Sequence, residues 1–129
     1  MIPNTIKFFD MFAGIGGFRA GLERAGGFVC LGHCEIDKYA DQSYRAIHRP
    51  KEGEWICKDA RQIQSGQMPA FDLHCAGSTC QAFSVLGQRK RCADPTGHLF
   101  FEIDRVVEPR RPAYPLLQNV FGFISHVQG

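Results

Sequence analysis

Apolar residues fall in short runs broken by glycine, proline and charged clusters. Ile6 to Phe12 (IKFFDMF) is short, apolar and aromatic-rich, and predicts a buried strand ended by glycines. Ala13 to Gly17 reads as a tight turn, and Phe18 to Arg24 opens a helix that Gly26 and Gly27 stop. Phe28 to Ile36 predicts a second strand ending in Glu35, after which Asp37 caps a helix running to about His48. Pro50 and Gly53 punctuate the next loop, and Trp55 to Cys57 is a short strand candidate followed by Lys58, Asp59 and a polar stretch. Phe71 to Ala76 predicts a strand that delivers Cys80. Gln81 to Thr96, with Gly87, Pro95 and three adjacent cations, predicts an exposed loop. Leu99, Ile103 and Val106 or Val107 share one face of a helix over Gly97 to Val107, with Pro109 and Pro112 ending it. Tyr114 to Val120 predicts a further strand, and Phe121 to Val127 begins something helical.

Alternating strands and helices predict an α/β domain whose parallel sheet is covered on both faces. Ligands of such sheets bind beyond the carboxyl ends of the strands. The glycine turn, Glu35, Asp59, Cys80 and Asn119 each fall at such an end, which points to a single shared site. At 129 residues the chain fits one domain with a real core. The net charge of +2 permits nucleic-acid binding without suggesting it, because a convincing footprint needs clustered charge. Ile6 to Phe12 is too short for a signal peptide and is interrupted by Asp10. No run reaches the length of a membrane span, so the expectation is a cytoplasmic protein with no membrane partner. Cys30, Cys34, Cys57, Cys75, Cys80 and Cys92 are expected to be reduced. Without a C-x-x-C pair and with scattered histidines, no metal site is expected.

Four features carry candidate chemistry, each with a plainer reading beside it. Glycines in Asp10 to Gly17 let backbone approach a ligand, and an acid about twenty positions on suits ribose hydroxyls. The spacing is not G-x-G-x-x-G, so a nucleoside without a diphosphate, such as S-adenosylmethionine, fits better than a dinucleotide. The plainer reading is a packing turn and a Glu35 that caps a helix. Asp59 could accept from an adenine amine or be a solvated loop carboxylate. Cys80 could attack as a thiolate if its pKa falls from about 8.5, or be an inert packed thiol. Arg89, Lys90 and Arg91 could contact phosphates or form a solvated charge run.

Taken together, these segments resemble the cytosine-C5 DNA methyltransferases. DMFAGIGGFRAGLE (Asp10 to Glu23) resembles that family's cofactor loop, and CEIDKYA (Cys34 to Ala40) its ribose-binding element. CQAFSVLGQRKRCADPTGHLFFEI (Cys80 to Ile103) resembles the nucleophile loop and following helix, and LLQNVFGF (Leu116 to Phe123) the next strand. The resemblance covers nearly the whole chain in family order. It implies a Rossmann-like S-adenosylmethionine-dependent methyltransferase fold, mostly parallel and truncated, in which residues 1–129 form the cofactor and nucleophile half. It further implies methylation of C5 of cytosine in double-stranded DNA, with the base flipped out of the duplex, and an association with restriction–modification.

By that resemblance Asp10, Phe12, Ala13, Gly14, Ile15, Gly16 and Gly17 line the methyl donor's pocket. Glu35 and Ile36 serve its ribose, and Asp59 and Ala60 its adenine. Cys80 is the nucleophile, with Gln118 and Asn119 in the catalytic set, and Gln81, Ser84, Arg89, Lys90 and Arg91 meet DNA. The chain departs from the family pattern at Thr79, where proline precedes the cysteine, and at Gln118, where glutamate assists protonation of the base. Pro115 is awkward for a central strand position. The family's further strands, target-recognition domain and closing helix have no counterpart in these residues, so Tyr114 to Val120 is expected to expose an apolar edge that a neighbouring strand would cover. A fragment with weak or no activity alone is the leading expectation. An inactive cofactor-binding remnant and one subunit of a split enzyme, completed by a second chain, are the alternatives.

Overall fold

The computed structural model describes residues 4–77, 105–106, 108–109 and 111–118. Five parallel strands form one sheet in the order β3-β2-β1-β4-β5. They are β1 (Ile6–Met11), β2 (Phe28–Cys34), β3 (Trp55–Cys57), β4 (Leu73–Gly77) and β5 (Tyr114–Gln118), with helices α1 (Gly17–Ala25) and α2 (Lys38–His48) among the crossovers. The α/β class and parallel sheet are those expected of a Rossmann-like fold.

The central strand β1 is buried on both faces, so its apolar run is nearly continuous. Alternation along it sends Phe9 and Met11 to one face, where they meet Ile63, Met68, Phe71 and Val106. Phe8 faces the other way, against Cys30, Leu73 and Cys75, with Phe18 and Leu22 of α1 packed on that layer. Each fully buried Phe or Met here contributes about 1.5–3 kcal/mol relative to exposure.

One irregularity shapes the site. The β1–β2 register slips between Phe8 and Phe9, pairing Phe8 with Cys30 but Phe9 with Gly32. This bulge sets His33, not Gly32, beside Asp10. Gly32 itself admits no side chain, since a Cβ there would lie 1.9 Å from the Trp55 carbonyl oxygen. The missing Cβ lets β3 approach β2 closely enough to pair.

Asp37 caps α2 as its sequence position predicts, accepting from the amides of Tyr39 (2.8 Å) and Ala40 (3.1 Å). Other boundaries move. The second strand ends at Cys34 rather than Ile36. The fourth begins at Leu73, because Phe71 packs into the core from outside the ladder while Asp72 turns its carboxylate to the Lys7 amide at 3.0 Å. Pro109 is still helical, and Arg111 follows in a left-handed conformation (φ 43°). The expected elements at Gln81 to Thr96 and Phe121 to Val127, and most of Gly97 to Val107, lie outside the described residues.

Pro115 sits without strain. The Tyr114 amide donates to Asp72 O at 3.0 Å, so strand alternation turns the Pro115 nitrogen to the outer side of β5, which is the sheet edge among the described residues. Tyr114 and Leu116 are exposed, and with Pro115, Ile6, Leu22, Phe28 and Leu73 they border an apolar groove of about 360 Å³. The groove lies at the amino ends of the strands, away from the glycine turn.

Candidate active site

The strand order reverses direction between β1 and β4, which defines the crevice where ligands of open α/β sheets bind. The glycine turn follows β1, Glu35 follows β2, and Asp59 follows β3, so three cofactor candidates stand at adjacent carboxyl ends. Gln118 pairs in register with Gly77, the last residue of β4. Cys80, Thr79, Gln81, Ser84, Arg89, Lys90, Arg91 and Asn119 lie outside the described residues.

The turn leaves β1 with Phe12 in the left-handed region (φ 53°), a conformation that a bulky side chain adopts only under constraint. The Ala13 amide donates to Cys34 O at 3.0 Å, tying the turn to the end of β2. Glu35 then bridges two backbone amides: one oxygen accepts from Gly14 (2.7 Å) and the other from Asp37 (2.8 Å). Each carboxylate oxygen retains a lone pair for a further donor such as a ribose hydroxyl. An added Cβ at Gly14 or Gly17 would meet nothing within 4 Å, so the backbone there is open to a ligand. Ile15 and Ile36 both stand exposed at this end of the sheet, whereas Ala60 is buried.

Asp59 is held by its neighbour. Arg61 donates to it from its amide and Nε (both 3.0 Å) and from Nη2 (2.8 Å), and these bonds pull the carboxyl below its ordinary pKa. Arg105, on the far side of sequence, fixes the same loop by donating to the carbonyls of Ile63 (2.7 Å) and Ala60 (3.0 Å).

Asp10 does not reach the surface. Fully buried, it accepts from the Tyr44 hydroxyl at 3.3 Å through Oδ2, while Oδ1 has no partner among the described residues. Tyr44 also receives Arg19 Nη1 at 3.3 Å and stacks on His33 with centroids 3.9 Å apart. Arg19 spreads its fork over both oxygens of Glu54 (2.8 and 2.9 Å) and pairs with Glu23 at 2.8 Å. Burial alone would lower the Arg19 pKa, but its bonds to Glu54, Tyr44 and Glu23 raise it. Asp10, Tyr44, Arg19 and Glu54 thus form a polar layer beneath the glycine turn. Only the Arg19–Glu23 spacing, i to i+4 on a helix, could have signalled it in the sequence.

Burial pushes the Asp10 carboxyl up to about 7, partly offset by Tyr44 and Arg19. The folded pKa lies above the unfolded one, so this group binds more protons in the folded state between about pH 4 and 7. Its contribution is fully present below the unfolded pKa and is lost as pH rises towards 7. Asp10→Asn is therefore expected to gain stability relative to the parent as pH goes from 4 to 8. Urea unfolding of both proteins across that range checks it, and parallel curves would show that Asp10 titrates normally.

Three of the buried thiols, Cys30, Cys34 and Cys75, are poor nucleophiles. Burial raises Cys30 to about 11 and Cys75 to about 12, and Cys34 rises for the same reason with Cys57 beside it. All four described cysteines are free, and no cluster of metal-ligating side chains occurs among the described residues.

Residues 6–129 match the family model described as C-5 cytosine-specific DNA methylase. The chain belongs to this family. It is 44% identical over 124 residues to the type II methyltransferase M.NlaX of Neisseria lactamica, covering 95% of this chain and 39% of that protein. It is 41% identical over 125 residues to the type II methyltransferase M.HhaI of Haemophilus parahaemolyticus, covering 96% of this chain and 36% of that protein. The chain thus spans well under half the length of these curated relatives. The crystal structure of the S. pombe Dnmt2 methyltransferase superposes with a TM-score of 0.71 at 22% identity, over 94% of this chain and 36% of that one, and supports the shared fold. No helix among the described residues is long and apolar enough to cross a membrane.

Proposed function

We propose that this chain is the cofactor-binding and nucleophile-bearing part of a DNA cytosine-C5 methyltransferase that uses S-adenosylmethionine. The observation carrying this reading is the meeting of the open glycine turn, Glu35 and Asp59 at three adjacent strand ends in a member of the methylase family. These residues suit the donor: Glu35 keeps acceptor capacity for ribose hydroxyls, and the side-chain-free backbone at Gly14 and Gly17 admits close contact. Asp59, held ionised by Arg61, can accept from an exocyclic amine. Phe12 and Ile36 supply apolar surface nearby.

Cys80 is assigned as the nucleophile. Its thiolate adds to C6 of a flipped cytosine, breaking the C5–C6 double bond and making C5 electron-rich, and later departs when the C5 proton is removed. S-adenosylmethionine, when bound, supplies the electrophilic methyl group that C5 takes up. Gln118 donates an amide hydrogen towards N3 and accepts from the N4 amine, but transfers no proton. That substitution, with Thr79 in place of proline, favours a slow enzyme. Gln81, Ser84, Arg89, Lys90 and Arg91 are assigned to the DNA, and Asn119 to the catalytic set with Cys80 and Gln118.

Titration calorimetry with S-adenosylmethionine tests the cofactor half. Glu35→Ala is expected to weaken binding at least about tenfold, since hydrogen bonds to a charged group are worth roughly 1.5–3 kcal/mol each. Affinity unchanged by the substitution would sink the ribose assignment, and no binding by the parent would sink the reading.

A further inference from the structure

We propose that His48 is a positioning residue for the methyl donor, acting through the glycine turn. This rests on the cofactor reading above and adds a residue that the sequence motifs do not contain. His48 is the last residue of α2, and its Nε2 lies 2.9 Å from the Ile15 carbonyl oxygen. A carbonyl can only accept, so Nε2 carries the proton and donates. The ring packs against Tyr44 with centroids 4.7 Å apart, and Tyr44 is itself fixed by Asp10 and Arg19. His48 is therefore seated on a rigid base.

The adjoining residue shows how closely the two parts fit. Gly16 adopts φ 87°, and a Cβ there would stand 2.1 Å from His48 Nε2 and 2.8 Å from Tyr44 Cε2. The imidazole occupies the space that a side chain at position 16 would need. On the opposite flank Glu35 grips the Gly14 amide. Two peptide groups of the turn, separated by one, are thus held from two directions: the Gly14 N–H by Glu35 just after β2, and the Ile15 C=O by the end of α2. Because α2 starts three residues after Glu35 and ends on His48, one helix spans both grips. A turn ordered before the donor arrives loses less freedom on binding, which raises affinity without any contact between His48 and the donor.

Calorimetry on the whole chain, with S-adenosylmethionine as the probe, decides it. His48→Ala is expected to raise the dissociation constant about five- to tenfold, the value of one net hydrogen bond. His48→Gln, whose terminal amide N–H reaches the place of Nε2, should recover most of the loss. Nitrogen-15 spectra of the unliganded parent should show the Nε2–H tautomer of His48. Unchanged affinity in His48→Ala overturns the proposal, as does an Nδ1–H tautomer or failure of glutamine to restore binding. Should the alanine variant not fold, the glutamine variant and the tautomer decide alone. If the parent binds no donor, the cofactor reading falls and this proposal with it; loss of the His48 effect alone leaves that reading standing.

Discussion

Arg19→Met is expected to lower the free energy of unfolding by about 3–5 kcal/mol, the range for removing one partner of a buried ion pair. The guanidinium and its partner Glu54 expose only 4% and 6% of their side chains, so neither charge is screened by water. Methionine fills much of the volume but leaves Glu54 buried without its fork, and takes a donor from Tyr44, hence support from Asp10. The double variant Arg19→Met, Glu54→Met should recover most of the loss, because replacing both charges with apolar groups is often nearly neutral. Urea unfolding followed by circular dichroism measures both. A single variant within about 0.5 kcal/mol of the parent would show that the pair is not buried in solution.

The second large effect concerns chemistry. Gln118→Glu is expected to raise the rate of covalent adduct formation with DNA carrying 5-fluorocytosine by about 10²–10⁴, the usual value of general acid–base assistance. The fluorine replaces the C5 proton whose loss frees the enzyme, so the adduct persists and can be counted on a denaturing gel. Gln118 is at the end of β5 and pairs with Gly77 at the end of β4, three residues before Cys80 in sequence. Adding Thr79→Pro should give a smaller further gain by restricting the backbone immediately before the cysteine. Equal trapping by the parent and Gln118→Glu would mean that proton transfer to the base does not limit addition.

The layout of the fold was legible because its signals are local. Strand β1 declares itself by an apolar run ended by glycines, and α2 by Asp37 ahead of a helical segment. The site candidates Glu35 and Asp59 were legible as positions, since each is the first acid after a strand. What holds them was not. Tyr44 meets Asp10 across 34 positions and Arg19 reaches Glu54 across 35, and no periodicity in either segment announces those meetings. Asp10 belongs to the same buried layer: along β1 it alternates with Phe9 and Met11, and so turns towards Tyr44. Phe71 falls within the expected strand because burial and extended pairing look alike in sequence; it is buried without being in the ladder.

Trp55 is the chain's single tryptophan, and it stands in β3 with its ring edge-on to Phe9 of the central strand at 5.7 Å. β3 is the outermost strand on its side among the described residues, is three residues long, and leads directly to Asp59. The protein therefore carries an intrinsic optical reporter at the sheet margin that leads to Asp59. Emission from Trp55 would register the detachment of that margin even where the central strands stay paired, so a fluorescence transition preceding the dichroism transition would measure local opening of the site.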